Sequence, residues 1–180
     1  MKRNIKKFFN EMIPIIVGII IGMYITNWNE NRKDRNYINQ ILLSLNKELI
    51  ETNKDIIDKL SQQESFIDTL DFYLNDNRIS ILDITSKAEG IYMPTIKLNS
   101  WKAIANSKIE LIEYEKVSVM VNIEEQKDDL KMKTEKLVDF LYSNIYVTEK
   151  AKKELMKIMM SDIIGKEISL QKEIEKIITD

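Results

Sequence analysis

A long uncharged run near the start of the chain constrains its folding more than any other feature. Residues 12–25 carry no charged side chain and consist mostly of Ile, Val and Gly. Aromatic rings favour the two interfaces of a membrane. Four of them flank this run: Phe8, Phe9, Tyr24 and Trp28. As a helix, residues 8–28 span about 30 Å, which matches the hydrocarbon core of a bilayer. We therefore predict a transmembrane anchor over residues 8–28, preceded by a basic tail over residues 1–7.

Two other interpretations of the run are open. A cleaved signal peptide needs an Ala-x-Ala-like site after its apolar core, whereas Met23 to Trp28 contain none. A core helix of a soluble protein is also an option, but this run is apolar on every face, which a small soluble protein can rarely cover. The pattern favours the membrane anchor over both.

Two glycines in the anchor are spaced one helical turn apart. Gly18 and Gly22 form a GxxxG pair, which lets a second helix approach closely in lipid. Glycine is also common in membrane helices that do not pair. The pair therefore defines a candidate dimer seam, through which the chain would form a homo-oligomer.

The distribution of basic residues around the anchor predicts its orientation. Before it stand Lys2, Arg3, Lys6 and Lys7, and after it stand Arg32, Lys33 and Arg35. Basic residues are enriched on the cytoplasmic side of membrane helices. We expect the N-terminus in the cytoplasm and residues 29–180 on the other side of the membrane.

Composition excludes several classes of chemistry. The 27 basic and 29 acidic residues give a net charge of -2, so the chain lacks the basic field of a nucleic-acid-binding protein. It has neither cysteine nor histidine. Disulfides, thiolate and imidazole metal sites and His-based catalytic triads are therefore excluded. We expect a non-enzymatic protein with no cofactor and no nucleic-acid partner.

Seven-residue spacing predicts a long helix over residues 37–74. One row of the repeat contains Ile38, Leu45, Thr52, Lys59, Phe66 and Tyr73, and the other contains Leu42, Leu49, Ile56, Gln63 and Leu70. Three polar residues, Thr52, Lys59 and Gln63, interrupt this seam. The pattern favours a bundle helix with one buried face, and a self-pairing coiled coil is the alternative.

The rest of the chain contains few helix-breaking Gly and Pro residues, and we predict that it is mainly helical. We expect the anchor helix to run on, or bend slightly, into the helix over 37–74. A short helix within 79–88, an extended connection over 90–99 and a long helix or two stacked helices over 110–146 follow. The fold class is therefore all-α: a single N-terminal transmembrane helix followed by an elongated antiparallel helical bundle over residues 29–180.

Several local signals predict where the later helices begin and end. Asn99 or Ser100 is expected to cap a short helix that carries Trp101. Ser107 to Glu110 fits a capping box, Thr148 is a candidate cap for the next helix, and Gly165 is expected to break it. The charged stretch 124–136 could be a membrane-distal, solvated portion.

Three sets of side chains could have either a functional or a structural role. Adjacent acids occur at Glu124, Glu125, Asp128 and Asp129, but nearby lysines favour ordinary surface ion pairs over acid–base work. Met156, Met159 and Met160 lie at helical spacing and favour core packing over a metal or recognition patch. Trp101 either anchors the connection 90–99 to the bundle or lines a ligand pocket.

Two blocks of sequence resemble a known family. Residues 16–21 (IVGIII) and 25–33 (ITNWNENRK) look like the opening of the domain-of-unknown-function family numbered 6090, uncharacterised membrane proteins found mostly in Bacteroidetes-type bacteria. Residues 100–112 (SWKAIANSKIELI) resemble a second block, in which the family usually has Ser-Gly where this chain has Asn106-Ser107. The resemblance implies a single-pass anchor in the bacterial cytoplasmic membrane with a helical extramembrane domain, and it supplies no activity, cofactor or catalytic residue.

Together these features predict a membrane-anchored helical module that acts through contacts with a protein partner. The alternative is an extracytoplasmic ligand-sensing module that signals through a partner protein, since a pocket change in the bundle could move the anchor.

Overall fold

The computed structural model describes residues 2–178, with side chains from residue 11 onward. Its five α-helices are α1 (Lys2–Phe72), α2 (Ile81–Lys87), α3 (Asn99–Ala105), α4 (Tyr114–Asn144) and α5 (Lys150–Ile178), and a 3-10 turn covers Ile109–Leu111. No strand occurs among the described residues. The all-α class predicted from the sequence is therefore confirmed.

Helix α1 joins the apolar run to the rest of the molecule without a break. It continues for 71 residues, and Pro14 lies inside it well past the first turn, so one backbone hydrogen bond of the helix is missing there. The limits predicted at 7/8 and 28/29 both fall within this helix. The expectation that the anchor helix runs on into the next helix is confirmed.

The seven-residue seam of α1 is buried by other parts of the same chain. Leu49, Ile56, Phe66 and Leu70 are fully buried, and the polar Thr52 and Gln63 are buried with them. Burial of these apolar side chains supplies the main driving force for packing this half of α1. The seam over 45–70 therefore has no free face for a self-pairing coiled coil.

Side-chain contacts show that α5 runs in the opposite direction to both α1 and α4. Between α1 and α5, Gln63 contacts Glu167 and Asp71 contacts Lys157. Between α4 and α5, Asp129 pairs with Lys166 and Lys133 pairs with Asp162. The end of α1 farthest from the apolar run thus lies beside the start of α5.

The segment between α2 and α4 descends along α1 in the opposite direction. Four contacts mark this descent, from the far end towards the apolar run: Thr95 with Asp55, Lys97 with Thr52, Ser100 with Glu48, and Lys108 with Asp34. The connection predicted over 90–99 is non-helical from Gly90 to Leu98, and α3 begins at Asn99. Side chains of α1 therefore hold a long stretch of non-helical backbone.

Two predicted caps are wrong, because more distant groups or other local bonds take their place. Asn99 is the first residue of α3 and no side chain of the preceding residue caps the helix; instead, Glu48 of α1 accepts a hydrogen bond from the Ser100 N–H. The Ser107 hydroxyl donates to the carbonyl of Ala103 and forms no capping box with Glu110. α4 begins only at Tyr114.

Two predictions about the last helices are also wrong. Gly165 does not break α5, which is continuous through it, because one glycine in a helix with a buried face costs only about 1 kcal/mol. The charged stretch 124–136 is not the membrane-distal end of the molecule, since Asp129 and Lys133 pair with the middle of α5. The distal end is formed by residues 72–81 and 144–153.

Candidate functional site

The apolar half of α1 is exposed along its described length. Its large apolar side chains from Met12 to Trp28 are between 37% and 73% exposed, and Tyr24 is the most exposed of them. An 18-residue window of this helix has a mean hydropathy of 1.5, and none of the window is buried in the molecule. By length and composition this part of α1 can cross a membrane, and it does not contribute to the core of the chain.

Of the four aromatic residues of the predicted anchor, the structure describes the side chains of Tyr24 and Trp28. Tyr24 and Trp28 lie one turn apart at the end of the apolar run, and both are exposed. Phe8 and Phe9 lie in the backbone of α1, but their side chains are outside the described part. No described atom lies within 4 Å of a Cβ added at Gly18 or Gly22, so the surface of the candidate seam is open.

Trp101 is buried and hydrogen-bonded. Its side chain is 1% exposed, and its indole N–H donates to Oε2 of Glu124 at 2.8 Å. This bond ties α3 to α4, while α3 itself is tied to α1 through Glu48. Glu124 is thus not the surface decoration that its neighbouring lysines suggested.

A cavity of about 260 Å³ lies beside the Trp101 ring. Its lining is mainly apolar and comes from α1, α3, α4, α5 and the chain before α4: Leu42, Leu45, Asn46, Leu49, Trp101, Ile104, Ile112, Lys116, Met120, Ile177 and Ile178. A cavity of this kind between helices suits a small apolar molecule. Trp101 therefore has the geometry of both predicted roles, as an anchor between helices and as a wall of a pocket.

The three polar residues that interrupt the seam of α1 all face the extended connection. The Thr52 hydroxyl accepts a hydrogen bond from the Lys97 N–H, and Lys59 Nζ lies 5.3 Å from the centre of the Tyr92 ring. The Gln63 amide donates to the carbonyl of Tyr92 at 3.0 Å. Covering backbone polar groups is costly unless they are paired, so these side chains lower the cost of packing the partly buried connection against α1.

Gln63 also meets a buried carboxyl group that the sequence did not single out. Its amide donates to Oε1 of Glu167 at 3.0 Å, and Glu167 is fully buried on α5. Burial raises the pKa of Glu167 to about 7, and the hydrogen bond from Gln63 opposes that rise. Oε2 of Glu167 and Oε1 of Gln63 have no hydrogen-bond partner within the described part of the chain.

A buried lysine of α5 binds backbone carbonyls at the distal end of α1. Lys153 Nζ donates to the carbonyls of Tyr73 and Asp76 at 3.0 and 2.8 Å, just past the last residue of the helix. Burial lowers the pKa of Lys153, and the negative charge of Asp76 opposes this. A cation at the C-terminal end of a helix also interacts favourably with the helix dipole.

The remaining predicted residues serve packing and surface pairing. Met156 and Met160 are fully buried and Met159 packs against the core, which confirms their interpretation as core residues. Asp129 pairs with Lys166 at 2.7 Å, and Glu125 and Asp128 are exposed. No group of three or more His, Cys, Asp or Glu side chains within residues 11–178 is placed to hold a metal ion.

A groove of about 550 Å³ lies next to the apolar half of α1. One wall is α1 from Asn31 to Leu42, and the other is the chain from Glu110 to Lys116. An ion pair of 2.9 Å between Lys108 and Asp34 closes one side of this region and raises the pKa of Lys108. This junction brings the start of α4 next to the end of the candidate membrane span.

Comparisons with protein-family models, curated proteins and solved structures find no match for this chain. The resemblance of residues 16–33 and 100–112 to the family numbered 6090 therefore stays a prediction.

Proposed function

We propose that this chain is a non-enzymatic, single-pass membrane protein whose helical domain acts through contacts with another protein. The observation that carries the proposal is the continuity of α1, whose exposed apolar half leads without a break into the half that forms the core. A partner bound to the domain would be held at a defined distance from the membrane. The proposal places this module in the bacterial cytoplasmic membrane, with the N-terminus in the cytoplasm.

The packing directions support an elongated antiparallel bundle as the form of this module. Phe72 lies 44 residues beyond Trp28, which corresponds to about 66 Å along a straight helix. At that distal end three aromatic side chains are at least 75% exposed: Phe72, Tyr142 and Tyr146. Aromatic residues are enriched at protein–protein interfaces. We assign the partner contact to this end.

The partner contact can be tested in native membranes. We expect the wild-type protein, extracted in mild detergent, to migrate in a discrete complex on a native gel. A variant with Phe72→Ser, Tyr142→Ser and Tyr146→Ser is expected to migrate as a smaller species. A matched control replaces three exposed residues of the domain away from this end, Leu43→Ser, Ile50→Ser and Ile57→Ser. The same mobility for all three proteins would contradict the assignment of the contact.

The cavity beside Trp101 favours a second candidate function, sensing of a small apolar ligand. Leu42, Leu45 and Leu49 of α1 border the cavity, so a ligand there would contact the same helix that enters the membrane. A ligand can shift a conformational equilibrium only by its difference in affinity for the two states. Such a signal would need a partner protein to receive it.

Thermal unfolding in the presence of a panel of small apolar molecules tests this candidate. We expect a true ligand to raise the Tm of the wild-type protein and not that of Ile178→Trp, in which a larger side chain fills the cavity from its partly buried rim. If no molecule in the panel shifts the Tm, or if the shift is equal in the variant, the sensing function is contradicted.

A further inference from the structure

The end of the helical domain nearest the candidate span exposes several apolar side chains. We call residues 109–114 the turn segment; it contains the 3-10 turn and the first residue of α4. Here the chain stops descending along α1 and reverses direction. Ile109 and Leu111 are 38% and 44% exposed, and Tyr114 is 83% exposed.

Contacts with α1 fix the height of the turn segment above the span. Lys108, directly before it, pairs with Asp34, and residues 110–113 line a groove whose other wall runs along α1 from Asn31 to Leu42. Asn31 and Asp34 follow Trp28 by three and six residues in the same uninterrupted helix. Along the helix axis these steps correspond to about 4.5 and about 9 Å.

The near end of the groove, at Asn31, lies within the headgroup layer of a bilayer, and the ion pair at Asp34 lies at about its outer limit. If Trp28 marks the edge of the hydrocarbon core, the headgroup region extends roughly 5 to 8 Å beyond it. We propose that the turn segment inserts its apolar side chains into the interface of the membrane that α1 crosses. This inference depends on the proposed membrane anchor and adds a second point of contact with lipid.

The side chains of the turn segment suit this layer. Leu and Ile can enter the boundary between headgroups and acyl chains, and a tyrosine ring favours the interface because one end is apolar and the other polar. Exposed aromatic residues at the distal end, such as Tyr142, lie too far along the molecule to reach the same membrane. A second contact would fix the rotation of the domain about the axis of α1.

Single-cysteine variants make a direct test simple, since the natural chain contains no cysteine. We would spin-label Leu111→Cys, Tyr142→Cys and Tyr24→Cys in the full-length protein, in nanodiscs of phosphatidylethanolamine and phosphatidylglycerol. The measurement is the accessibility of each label to oxygen, which partitions into lipid, and to a water-soluble nickel complex. Ile109→Cys serves as a second probe of the turn segment.

We expect the oxygen-to-nickel ratio at Leu111 and Ile109 to exceed that at Tyr142 by at least about threefold, because both labels would sit in the interface. The ratio at Tyr24 should be higher still. Equal ratios at Leu111, Ile109 and Tyr142, with Tyr24 in lipid, would overturn this inference and leave the anchor standing. A ratio at Tyr24 as low as that at Tyr142 would overturn the anchor as well.

Discussion

The buried polar side chains among the described residues of the domain belong to helices, and three of the four bind the backbone of non-helical segments. Thr52 and Gln63 bind the extended connection, and Lys153 binds the carbonyls that follow α1. Glu167 bonds to Gln63 and thereby links α5 to the same connection. Each side chain pairs a backbone or side-chain group that burial would otherwise leave without a partner, which costs roughly 1–3 kcal/mol per group.

Replacing Glu167 by Gln should change how stability depends on pH. In the folded protein the pKa of Glu167 is raised from 4.5 to about 7, so the folded state holds its proton more tightly than the unfolded state. The stability from the protonated form is fully present below pH 4.5 and is lost as pH rises through 7. The loss is of the order of 3 kcal/mol. The side chain of Glu167→Gln stays neutral at every pH, so this variant does not lose that stability.

Urea unfolding of both proteins in detergent micelles at pH 4.5 and pH 8 measures this effect. The free energy of unfolding of Glu167→Gln relative to wild type should rise between the two pH values by up to about 3 kcal/mol. Other groups titrate equally in both proteins and cancel. A difference that stays constant with pH would show that Glu167 is ionised normally in the folded state.

Glu124→Ala should destabilise the domain through Trp101. The substitution leaves the buried indole N–H without its acceptor, which we expect to cost about 1–3 kcal/mol. Glu125→Ala is the matched control, since Glu125 is an exposed neighbour on the same helix and surface changes usually stay within about 0.5 kcal/mol. Urea unfolding curves compare the two variants. An equal effect of both would refute a structural role for the bond.

Sequence reasoning found Trp101 but not the residues around it. Seven-residue spacing correctly identified the buried face of α1, yet it presented Thr52 and Gln63 as weak points of the seam. Their partners lie 29 to 104 residues away in the chain, and a helical pattern carries no information on what lies opposite. For the same reason the sequence does not single out Lys153 and Glu167, and it assigns Glu124 to surface ion pairs rather than to the Trp101 indole.

At the scale of the elements, helices were more predictable than their ends. Apolar periodicity reports burial of a whole face, so α1, α2 and α4 are predicted close to their observed positions, whereas α5 is predicted with a break at Gly165 that it does not have. Caps depend on single hydrogen bonds. Glu48 of α1, and not a neighbouring side chain, accepts the hydrogen bond at the start of α3. The capping box between Ser80 and Asp83 at the start of α2 is not among the predicted caps.

Gly165→Ala should stabilise α5. The glycine lies inside the helix, and an added Cβ would meet no described atom within 4 Å, so the gain is about 0.4–1 kcal/mol from lower entropy of the unfolded chain. Gly90→Ala should have the opposite effect, because Gly90 has a φ of +111°, which a residue with a Cβ rarely adopts. Thermal unfolding of both variants checks the signs. A loss of Tm in Gly165→Ala would contradict the observed continuity of α5.

At the scale of the whole molecule, α1 unites two surfaces of opposite character. Its first half exposes apolar side chains on all sides, and its second half buries one face under α5 and the descending segment. The sequence alone predicted both halves, since each follows from a local pattern. The junction at residues 31–38, where the turn segment meets α1, could not be predicted, because it depends on the path of the chain between α2 and α4.

Bulky residues at the open glycines should weaken self-association in the membrane. We expect Gly18→Ile and Gly22→Ile to lower the yield of crosslinked dimer, because a branched side chain would keep a second helix from close approach. Ile20→Ala, on the opposite side of the helix, is the control and should leave the yield unchanged. An unchanged yield of crosslinked dimer in the glycine variants would contradict a homo-oligomer formed through Gly18 and Gly22.

The side of the membrane on which the domain lies tests the central proposal most directly. The measurement is labelling of Leu43→Cys, an exposed position away from the assigned partner contact, by a maleimide that cannot cross the cytoplasmic membrane, in intact cells with a permeabilised outer membrane. We expect full labelling of this position before lysis, and labelling of Asn4→Cys only after lysis. Labelling of Leu43→Cys only after lysis would place the domain in the cytoplasm and contradict the proposed orientation.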